Sequence, residues 1–437
     1  MVLGILLETI YALLASAPDF RPNLLPFFLL VTAAALLSLL FARGGTLRGA
    51  LLWATLFRAT LLWRSPDLSE DLYRYAWDGH LSASSVSPYA YAPDDPRLTP
   101  LRNADWAASA HRDARTVYPP AAQALFRVAA LTGRPRLALK VAFAVADLAI
   151  VVLLARFEGG AFAAALYAAF PLPVFESAGM GHLDSLGVAL LLAALLYLNG
   201  KRRSAAGAAA ALSVMVKYFS LFAILPLVRR GRLAFAAPFL GVAAALWLWA
   251  SAAGATPAAG LANFATRWSG NSVVYPVVEA AVDRLRLAPR AKETYARWKA
   301  PRPQKPWMER VWPFFYPELF ARAILAAALG IGLFAIAAGR SAAVPAVFAS
   351  LALFLLISPV LHPWYVLWLL PFAALRRDPA FLYLAAAAPF GYAVLHPVGV
   401  FMPGVTIAIE YAPFAFLLVF RRRLASAGPF RSGVAAE

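Results

Sequence analysis

The sequence contains no cysteine among its 437 residues, so disulfide bonds and thiolate chemistry are excluded. Charged residues are also scarce. They make up 14% of the chain, whereas hydrophobic residues make up 62%. The mean hydropathy of +0.67 is too high for one or two soluble domains, so many of the apolar residues are expected to face something other than water or a protein core.

The apolar residues occur in runs of about the length that crosses a bilayer, which is roughly 20 helical residues. Long runs lie at 23–42, 137–155, 183–199, 233–252, 318–338, 343–361 and 404–420, and shorter or interrupted runs at 3–17, 48–63, 160–176, 204–228, 364–375 and 379–395. This pattern predicts an all-α polytopic membrane protein with about 12–14 transmembrane helices. The first run lacks a basic n-region and a clear cleavage site, so we expect a retained segment and no signal peptide.

Acidic residues are few: 22 against 40 lysines and arginines, which leaves a net charge of +18. Most of the basic residues lie in loops, so membrane topology and anionic headgroups explain the charge better than nucleic-acid binding. The basic clusters of the short loops all fall on one side of the membrane if 204–228 is a hairpin of two short helices meeting near Lys217. Both termini are then cytoplasmic, and the protein is a multi-pass protein of the cell membrane.

The same topology assigns the long polar segments, about 64–136 and 253–317, to the extracytoplasmic side. Their tyrosines, tryptophans and prolines are typical of short interfacial helices and turns. We therefore predict one transmembrane domain over residues 1–423 with its active site on the extracytoplasmic face. Residues 424–437 are predicted to form a disordered cytoplasmic tail.

An acidic motif follows the third apolar run, Ser69-Glu70-Asp71-Leu72-Tyr73-Arg74-Tyr75-Ala76-Trp77-Asp78-Gly79. As a helix it places Asp71, Arg74, Tyr75 and Asp78 on one face, at i, i+3, i+4 and i+7. A role as helix N-cap or as a first-turn acid would account for Asp67, Ser69 or Glu70. It would not account for the presence of the other four residues on one face. We predict that Asp71 or Glu70 is a general base that accepts a proton from an attacking hydroxyl.

Further candidates lie in the first long segment and at helix starts. Tyr89 belongs to a proline-stiffened loop and either stacks on a sugar or packs the loop, while Tyr118 and Gln123 either bind substrate or have structural roles. His182 and Asp184 begin a helix; Asp184 is a good cap, and the pair is also a weak signal for a divalent metal. Nothing in the sequence requires a metal or another cofactor.

Two cations stand out against apolar surroundings. Lys217 lies between two apolar runs, where a phosphate is a natural partner for its ammonium group. Arg58 lies inside the third run and has no evident partner beyond a buried ion pair. His362, in His362-Pro363-Trp364-Tyr365, occupies a turn on the same face as Lys217, beside ordinary interfacial aromatic residues.

A carboxylate base, cations for an anion, and aromatic surfaces favour glycosyl transfer from a lipid-linked sugar phosphate. A soluble nucleotide sugar is absent from the extracytoplasmic side, whereas an anionic polyprenyl-phosphate sugar is present there. A transporter or flippase of a lipid-linked saccharide is the alternative, and it predicts ionisable groups along a path to the cytoplasmic leaflet. A non-catalytic assembly subunit would need neither Asp71 nor Lys217.

The motifs quoted above, together with Ser87-Pro88-Tyr89, Tyr118-Pro119-Pro120-Ala121-Ala122-Gln123, Gly181-His182-Leu183-Asp184-Ser185 and Lys217-Tyr218, resemble those of the bacterial GT-C glycosyltransferases. Over about residues 60–375 the chain is most similar to the polyprenyl-phosphate-mannose-dependent mannosyltransferases. The resemblance implies a GT-C fold and an inverting transfer of a hexose, expected to be mannose, to a glycan or glycolipid hydroxyl.

The resemblance also assigns roles. It implies that Asp71, within Glu70-Asp71, is the base, and that Lys217, with Arg74 or His362, binds the donor phosphate. Tyr75, Asp78, Tyr89, Tyr118, Gln123, His182 and Asp184 are then candidates for contact with the substrates. Because Arg74 is expected next to Asp71, we expect this carboxylate to stay ionised at neutral pH with little tuning of its pKa.

Overall fold

The computed structural model describes residues 1–44, 46–252, 255–395 and 403–427. Within these ranges the regular structure is helical, and the only pairing of extended backbone is an isolated bridge between Gly270 and Val360. The α-helices are α1 (Val2–Ser16), α2 (Leu25–Phe41), α3 (Leu47–Leu61), α4 (Asp71–Ala83), α5 (Ala104–Ala108), α6 (Pro120–Ala130), α7 (Pro135–Leu154), α8 (Gly160–Ala169), α9 (Pro171–Pro173), α10 (Asp184–Asn199), α11 (Arg203–Val216), α12 (Ile224–Gly231), α13 (Leu233–Ser251), α14 (Ala259–Arg267), α15 (Val274–Arg284), α16 (Leu287–Lys299), α17 (Pro306–Glu309), α18 (Pro317–Ala338), α19 (Ala343–Ile357), α20 (Leu370–Arg376), α21 (Pro379–Ala387) and α22 (Pro403–Ala427).

Short tight helices connect several of these elements. A π-helix covers Val174–Met180, and 3₁₀ segments cover Pro96–Leu101, Tyr218–Ala223, Trp312–Phe315, Pro363–Trp368 and Ala388–Leu395. Two of the shorter or interrupted runs are divided in this way: 364–375 is a 3₁₀ segment followed by α20, and 379–395 is α21 followed by another 3₁₀ segment. The prolines at 363, 371 and 379 each lie at the start of a segment, where a missing N–H costs nothing.

The chain is an all-α polytopic membrane protein. Among the described residues α7, α13 and α18 are long and apolar enough to cross a bilayer, and α8 with Pro171–Met180 forms a pair bent by 49° that meets the same criterion together. Other apolar helices are 10–17 residues long, including α1, α2, α10, α11 and α19. The total of 12–14 spans predicted from sequence stays a prediction.

A buried ion pair joins three helices of the core. Arg58 on α3 donates from Nε to Oδ2 of Asp147 on α7 at 2.6 Å, and Tyr167 on α8 donates to Oδ1 of Asp147 at 2.5 Å. The side chains of Arg58 and Asp147 are 1% and 0% exposed. Arg58 therefore has the partner that the sequence left unidentified. An acid within the apolar run 137–155 was the available signal.

The first long polar segment folds as short helices on the helical core. Its helix α4 lies against α6, where the ring of Tyr75 stacks on that of Phe126 with centroids 4.7 Å apart. The contact is so close that a Cβ on Gly79 would lie 2.2 Å from the carbonyl oxygen of Phe126. A glycine is required here because α4 and the backbone of α6 meet directly. The second long segment contains α14 to α17.

The run 204–228 divides at Lys217, as the sequence predicted. The helix α11 ends at Val216, Lys217 is extended with φ −153° and ψ 128°, and a 3₁₀ segment then leads into α12. At the other end of the chain α22 continues to Ala427, into the segment predicted as a tail. Residues 428–437 lie outside the described residues.

Candidate active site

A cavity lies between the first polar segment, the Lys217 break and the segment that begins at His362. Its empty volume is about 970 Å³, including its opening to solvent. Of the predicted site residues it is lined by Glu70, Asp71, Arg74, Tyr118, Lys217 and His362. Residues from positions 70, 118, 217 and 362 are thus brought together although the chain separates them widely. The remaining walls are largely apolar, with Arg115 as a further cation and with the aromatic residues Tyr218, Phe219, Phe264, Trp268, Trp364 and Tyr365.

Asp71 is the first residue of α4, and its side chain is 32% exposed. The Tyr75 hydroxyl, one turn further along, donates to Oδ2 of Asp71 at 3.3 Å. Burial raises the pKa of Asp71, while the positive charge of Lys217 opposes that shift. The expectation that Arg74 keeps Asp71 ionised is wrong, because Arg74 donates to Asp78 at 2.9 Å and the opposing cation is Lys217.

Lys217 faces the cavity but is held by a carboxylate from another helix. Its Nζ donates to both oxygens of Asp184 at 2.7 Å, and Oδ1 of Asp184 also accepts from Nε1 of Trp368 at 2.7 Å. The ammonium lies 4.7 Å from the ring centroid of Tyr365 and 5.0 Å from that of Phe219. The Lys217 side chain is 11% exposed, so a charged group is maintained at the edge of an aromatic cavity.

Two stacked rings, His362 and Trp364, line one wall, and the buried ring of His182 stacks behind them. His362 stacks on Trp364 with centroids 4.5 Å apart, and Trp364 stacks on His182 with centroids 4.0 Å apart. Burial, with smaller contributions from Lys217 and His111, lowers the pKa of His362 to about 3. His362 is therefore neutral at neutral pH, and any contact it makes with a phosphate is that of a neutral N–H donor.

A buried hydrogen-bonded chain lies behind Asp71. The Ser69 hydroxyl is 2.9 Å from Nε2 of His182, and Nδ1 of His182 is 2.8 Å from Oε2 of Glu176. The Tyr392 hydroxyl donates to the same Glu176 oxygen at 2.9 Å. The π-helix presents Glu176, and Gly181, with φ of +79°, turns the backbone so that the His182 N–H bonds to the Glu176 carbonyl at 2.8 Å.

The other predicted site residues are not brought to this cavity. Asp78 is 1% exposed and accepts from Arg74 and from Nε2 of Gln123, the latter at 2.9 Å. Gln123 also donates to Thr116 at 2.9 Å, and the Tyr89 hydroxyl donates to the Tyr118 carbonyl at 2.8 Å. Tyr75, His182 and Asp184 are buried behind the cavity wall. These contacts tie α4, α6 and the loop together, so they position the cavity-lining residues.

Sequence reasoning missed several residues of this region. Glu176 ends an apolar run, and an acid in that position was a usable signal. Trp268 and His111, whose ring centroids are 4.0 Å apart at the cavity, come from the two separate polar segments, and no local pattern predicts their contact.

A metal ion has no evident binding group among the described residues. No group of three or more histidine, aspartate or glutamate side chains there has a suitable arrangement. His182 and Asp184, the weak metal candidate, point to separate partners: His182 to Ser69 and Glu176, and Asp184 to Lys217 and Trp368.

Comparison with known families found two matches. Residues 24–233 match the N-terminal domain model described as alpha-(1->6)-mannopyranosyltransferase, of the MptA/MptB family. Residues 317–422 match the model of the MptB C-terminal domain. Together the two matches contain Asp71, Lys217 and His362. No curated protein and no solved structure matches the chain.

Proposed function

Because the chain belongs to the MptA/MptB family of membrane mannosyltransferases of GT-C type, we propose a specific reaction at this cavity. Mannose is transferred from a polyprenyl-phosphate-mannose donor to a hydroxyl of a glycan or glycolipid on the extracytoplasmic face. The family description suggests an α-(1→6) linkage to the acceptor. A β-linked donor phosphate would give this α-product in one inverting displacement.

The observation that carries the proposal is that Asp71 and Lys217 line the same cavity. Asp71 Oδ takes the proton of the acceptor hydroxyl, and the acceptor oxygen attacks the anomeric carbon. The bond between that carbon and the phosphate oxygen breaks, and the leaving polyprenyl phosphate keeps the electron pair. A positioned general base typically contributes 10²–10⁴-fold to such a rate.

Lys217 meets the charge that develops on the departing phosphate. Lysine has three donors, and the two bonds to Asp184 leave one for a ligand oxygen. Asp184 and Trp368 hold the ammonium in place before the donor arrives, so little reorganisation is needed as the charge develops. The aromatic walls suit a sugar ring and the first isoprene units of the donor.

The alternative of a transporter or flippase has less support. It requires ionisable groups along an open path, but the core ion pair of Arg58 and Asp147 is at most 1% exposed. That pair is closed by Tyr167 and by a bond from Arg58 to the Ala168 carbonyl at 2.9 Å. These contacts fit a structural connection between helices.

The direct test is Asp71→Asn in purified protein reconstituted in lipid, with labelled polyprenyl-phosphate-mannose and a mannose-terminated acceptor. We expect transfer to fall by about 10²–10⁴-fold, since the isosteric amide cannot accept the proton. Asp283→Asn, an exposed aspartate on α15, is the matched control and should be unaffected. Full transfer by Asp71→Asn would remove the base assignment, and no transfer by the wild type would favour the transporter.

The proposed sidedness has its own test because the chain lacks cysteine. We expect Ser84→Cys, exposed in the first polar segment, to react with an impermeant maleimide added to intact cells. Ser204→Cys, exposed at the start of α11, should react only after the membrane is opened. The reverse labelling pattern would contradict an extracytoplasmic site.

A further inference from the structure

A second cleft opens beside the candidate active site, and nothing above assigns it a role. Its empty volume is about 1290 Å³, including the open solvent at its mouth. It shares Glu70, Ala110 and His111 with the site cavity. The walls of the site cavity are largely apolar, whereas the remaining wall of the cleft includes Asp19, Arg21, Asp67, Tyr73, Asp94, Arg112 and Asp113.

The charged groups of the cleft divide into two kinds. Asp19 is paired with Arg21 at 2.7 Å, Asp67 with Arg64 at 2.6 Å and Asp94 with Arg112 at 3.3 Å, so these carboxylates already have partners in the protein. Glu70 and Asp113 are exposed, and neither carboxylate makes a hydrogen bond within the described part of the chain, although Glu70 interacts electrostatically with Arg21. Carboxylate oxygens only accept hydrogen bonds when ionised, so free carboxylates suit a ligand rich in hydroxyl donors.

We infer that this cleft binds the acceptor, an uncharged glycan whose terminal sugar reaches Asp71 past Glu70. The inference rests on the proposed function. An inverting displacement needs the attacking hydroxyl and the departing phosphate on opposite faces of the transferred sugar. Two cavities that meet at Glu70, one containing Lys217 and the other rich in hydrogen-bond acceptors, provide separate approaches for the two substrates.

Asp113→Asn and Tyr73→Phe test the cleft because both residues lie outside the site cavity. Tyr73→Phe keeps the ring, over which the Arg136 guanidinium lies at 5.4 Å, and removes only the hydroxyl. We expect the acceptor KM to rise about tenfold for each variant, as a lost hydrogen bond to ligand predicts, with kcat and the donor KM unchanged. Asp105→Asn, on α5 of the same segment but outside the cleft, is the control.

Unchanged acceptor KM values in both variants would overturn the inference. A raised donor KM would also overturn it, because the cleft would then belong to the donor. Absence of transfer in the wild type would instead refute the proposed function, so the two failures are distinguishable.

A different observation carries a second inference. We propose that Glu176 and His182 are positioning residues for Asp71. The backbone N–H of Asp71 donates to the Ser69 hydroxyl oxygen at 3.3 Å, so the chain from Glu176 through His182 and Ser69 ends at the first residue of α4. Nε2 of His182 is also 3.9 Å from Oδ2 of Asp71.

The direction of this chain follows from its buried end. Oε2 of Glu176 accepts the Tyr392 hydroxyl proton and faces His182 as an acceptor, so Nδ1 of His182 carries the proton and Nε2 accepts from the Ser69 hydroxyl. The Ser69 oxygen then accepts from the N–H of Asp71. All members other than Asp71 are nearly inaccessible: Glu176 and His182 are 0% exposed, Tyr392 2% and Ser69 8%. The base is thereby anchored to the π-helix through side chains that never meet substrate.

The test is Glu176→Gln, whose amide can donate to Nδ1 and reverse the His182 tautomer. We expect kcat to fall about 10²-fold with both KM values unchanged, because a misplaced base costs that much without weakening binding. Glu176→Asp should recover part of the loss. Ser177→Ala is the matched control: Ser177 neighbours Glu176, is 0% exposed, and its hydroxyl has no hydrogen-bond partner among the described residues.

The double variant Glu176→Gln with Asp71→Asn decides whether Glu176 acts through the base. If it does, the double variant is no slower than Asp71→Asn alone. A double variant whose kcat is lowered by the product of the two single-variant effects would overturn the inference. An unchanged kcat in Glu176→Gln would also overturn it, as would a fall in activity that is fully explained by a smaller fraction of folded protein. Full activity of Asp71→Asn would refute the proposed function itself.

Discussion

Two lysine- or arginine-carboxylate pairs in this protein have nearly the same geometry and very different surroundings. Lys217 bonds to Asp184 at 2.7 Å, and Arg58 bonds to Asp147 at 2.6 Å. Each carboxylate also accepts from a third side chain, an indole in one case and a phenol in the other. The Lys217 side chain borders a cavity and is 11% exposed, whereas the Arg58 side chain is sealed between helices.

The difference shows that an ion pair among apolar helices does not by itself identify a functional site. In the core pair, Nε and Nη1 of Arg58 donate to protein groups and Nη2 lies 2.6 Å from Oδ2 of Asp147, so the pair connects α3, α7 and α8. The cavity pair combines a charge held in place with one donor that remains for a ligand. Access to a cavity is thus the feature that separates a site from a structural connection, and the following substitutions test that distinction.

The largest effect is expected from Arg58→Ala. This change leaves Asp147 charged and unpaired in the core, a loss of about 3–5 kcal/mol. We expect little folded protein, measured by monodispersity after detergent extraction and by thermal unfolding. The double variant Arg58→Met with Asp147→Leu removes both charges and should recover folding and transfer. Loss of transfer in a well-folded double variant would show that the core pair has a role beyond structure.

For the cavity pair, Lys217 and Asp184, we expect substitution to lower the transfer rate and to leave folding intact. Lys217→Met combined with Asp184→Asn removes the cation without leaving a buried charge, because the amide is neutral. The amide oxygen can still accept the hydrogen bond from Trp368. We expect a folded protein whose transfer rate falls about 10²–10³-fold, the size of effect seen when a preorganised charge-stabilising donor is removed. Radiolabelled transfer and thermal unfolding together check this. A normal rate would mean that Lys217 does not meet the donor phosphate.

The pH profile gives a smaller and more specific signal. The pKa of Asp71 is raised by burial and lowered again, in part, by Lys217. As a base Asp71 works only when ionised, so kcat/KM should fall on the acid side at a higher pH than an ordinary aspartate predicts. Lys217→Met with Asp184→Asn removes Lys217, which lowers the pKa of Asp71, and Asp184, which raises it by less, so this limb should move to a somewhat higher pH. Lys299→Met, which removes a largely buried lysine paired with the exposed Glu309 in the second polar segment, should leave the limb in place.

The smallest effect is expected from chelation. We propose that Lys217 meets the phosphate charge and that no divalent cation is needed. Transfer should therefore be unchanged when EDTA is added to protein that has been washed free of metal. A loss that Mg²⁺ or Mn²⁺ restores would show that a cation shares this role with Lys217.

Much of the candidate site was predictable because its residues occur in short patterns along the chain, such as helical spacing and the position of a charge between apolar runs. The spacing of Asp71, Arg74, Tyr75 and Asp78 predicted a shared helix face, and α4 bears these residues. The position of Lys217 between apolar runs predicted a break, and α11 ends at Val216. The roles of the residues on that face were not predictable. Arg74 donates to Asp78, and the cation that lowers the pKa of Asp71 is Lys217 from a distant part of the chain.

The sequence by itself determined the environment and the helical class, because apolar run length and charge scarcity are properties of the chain alone. It also identified the residues that carry unusual chemistry, since an ionisable group among apolar residues is costly wherever the chain folds. Only the tertiary structure decided which of these groups meet: Asp184 under Lys217, Glu176 behind His182, Asp147 against Arg58. Such contacts join residues far apart in the chain, and side-chain packing, which no local period encodes, selects among the available partners.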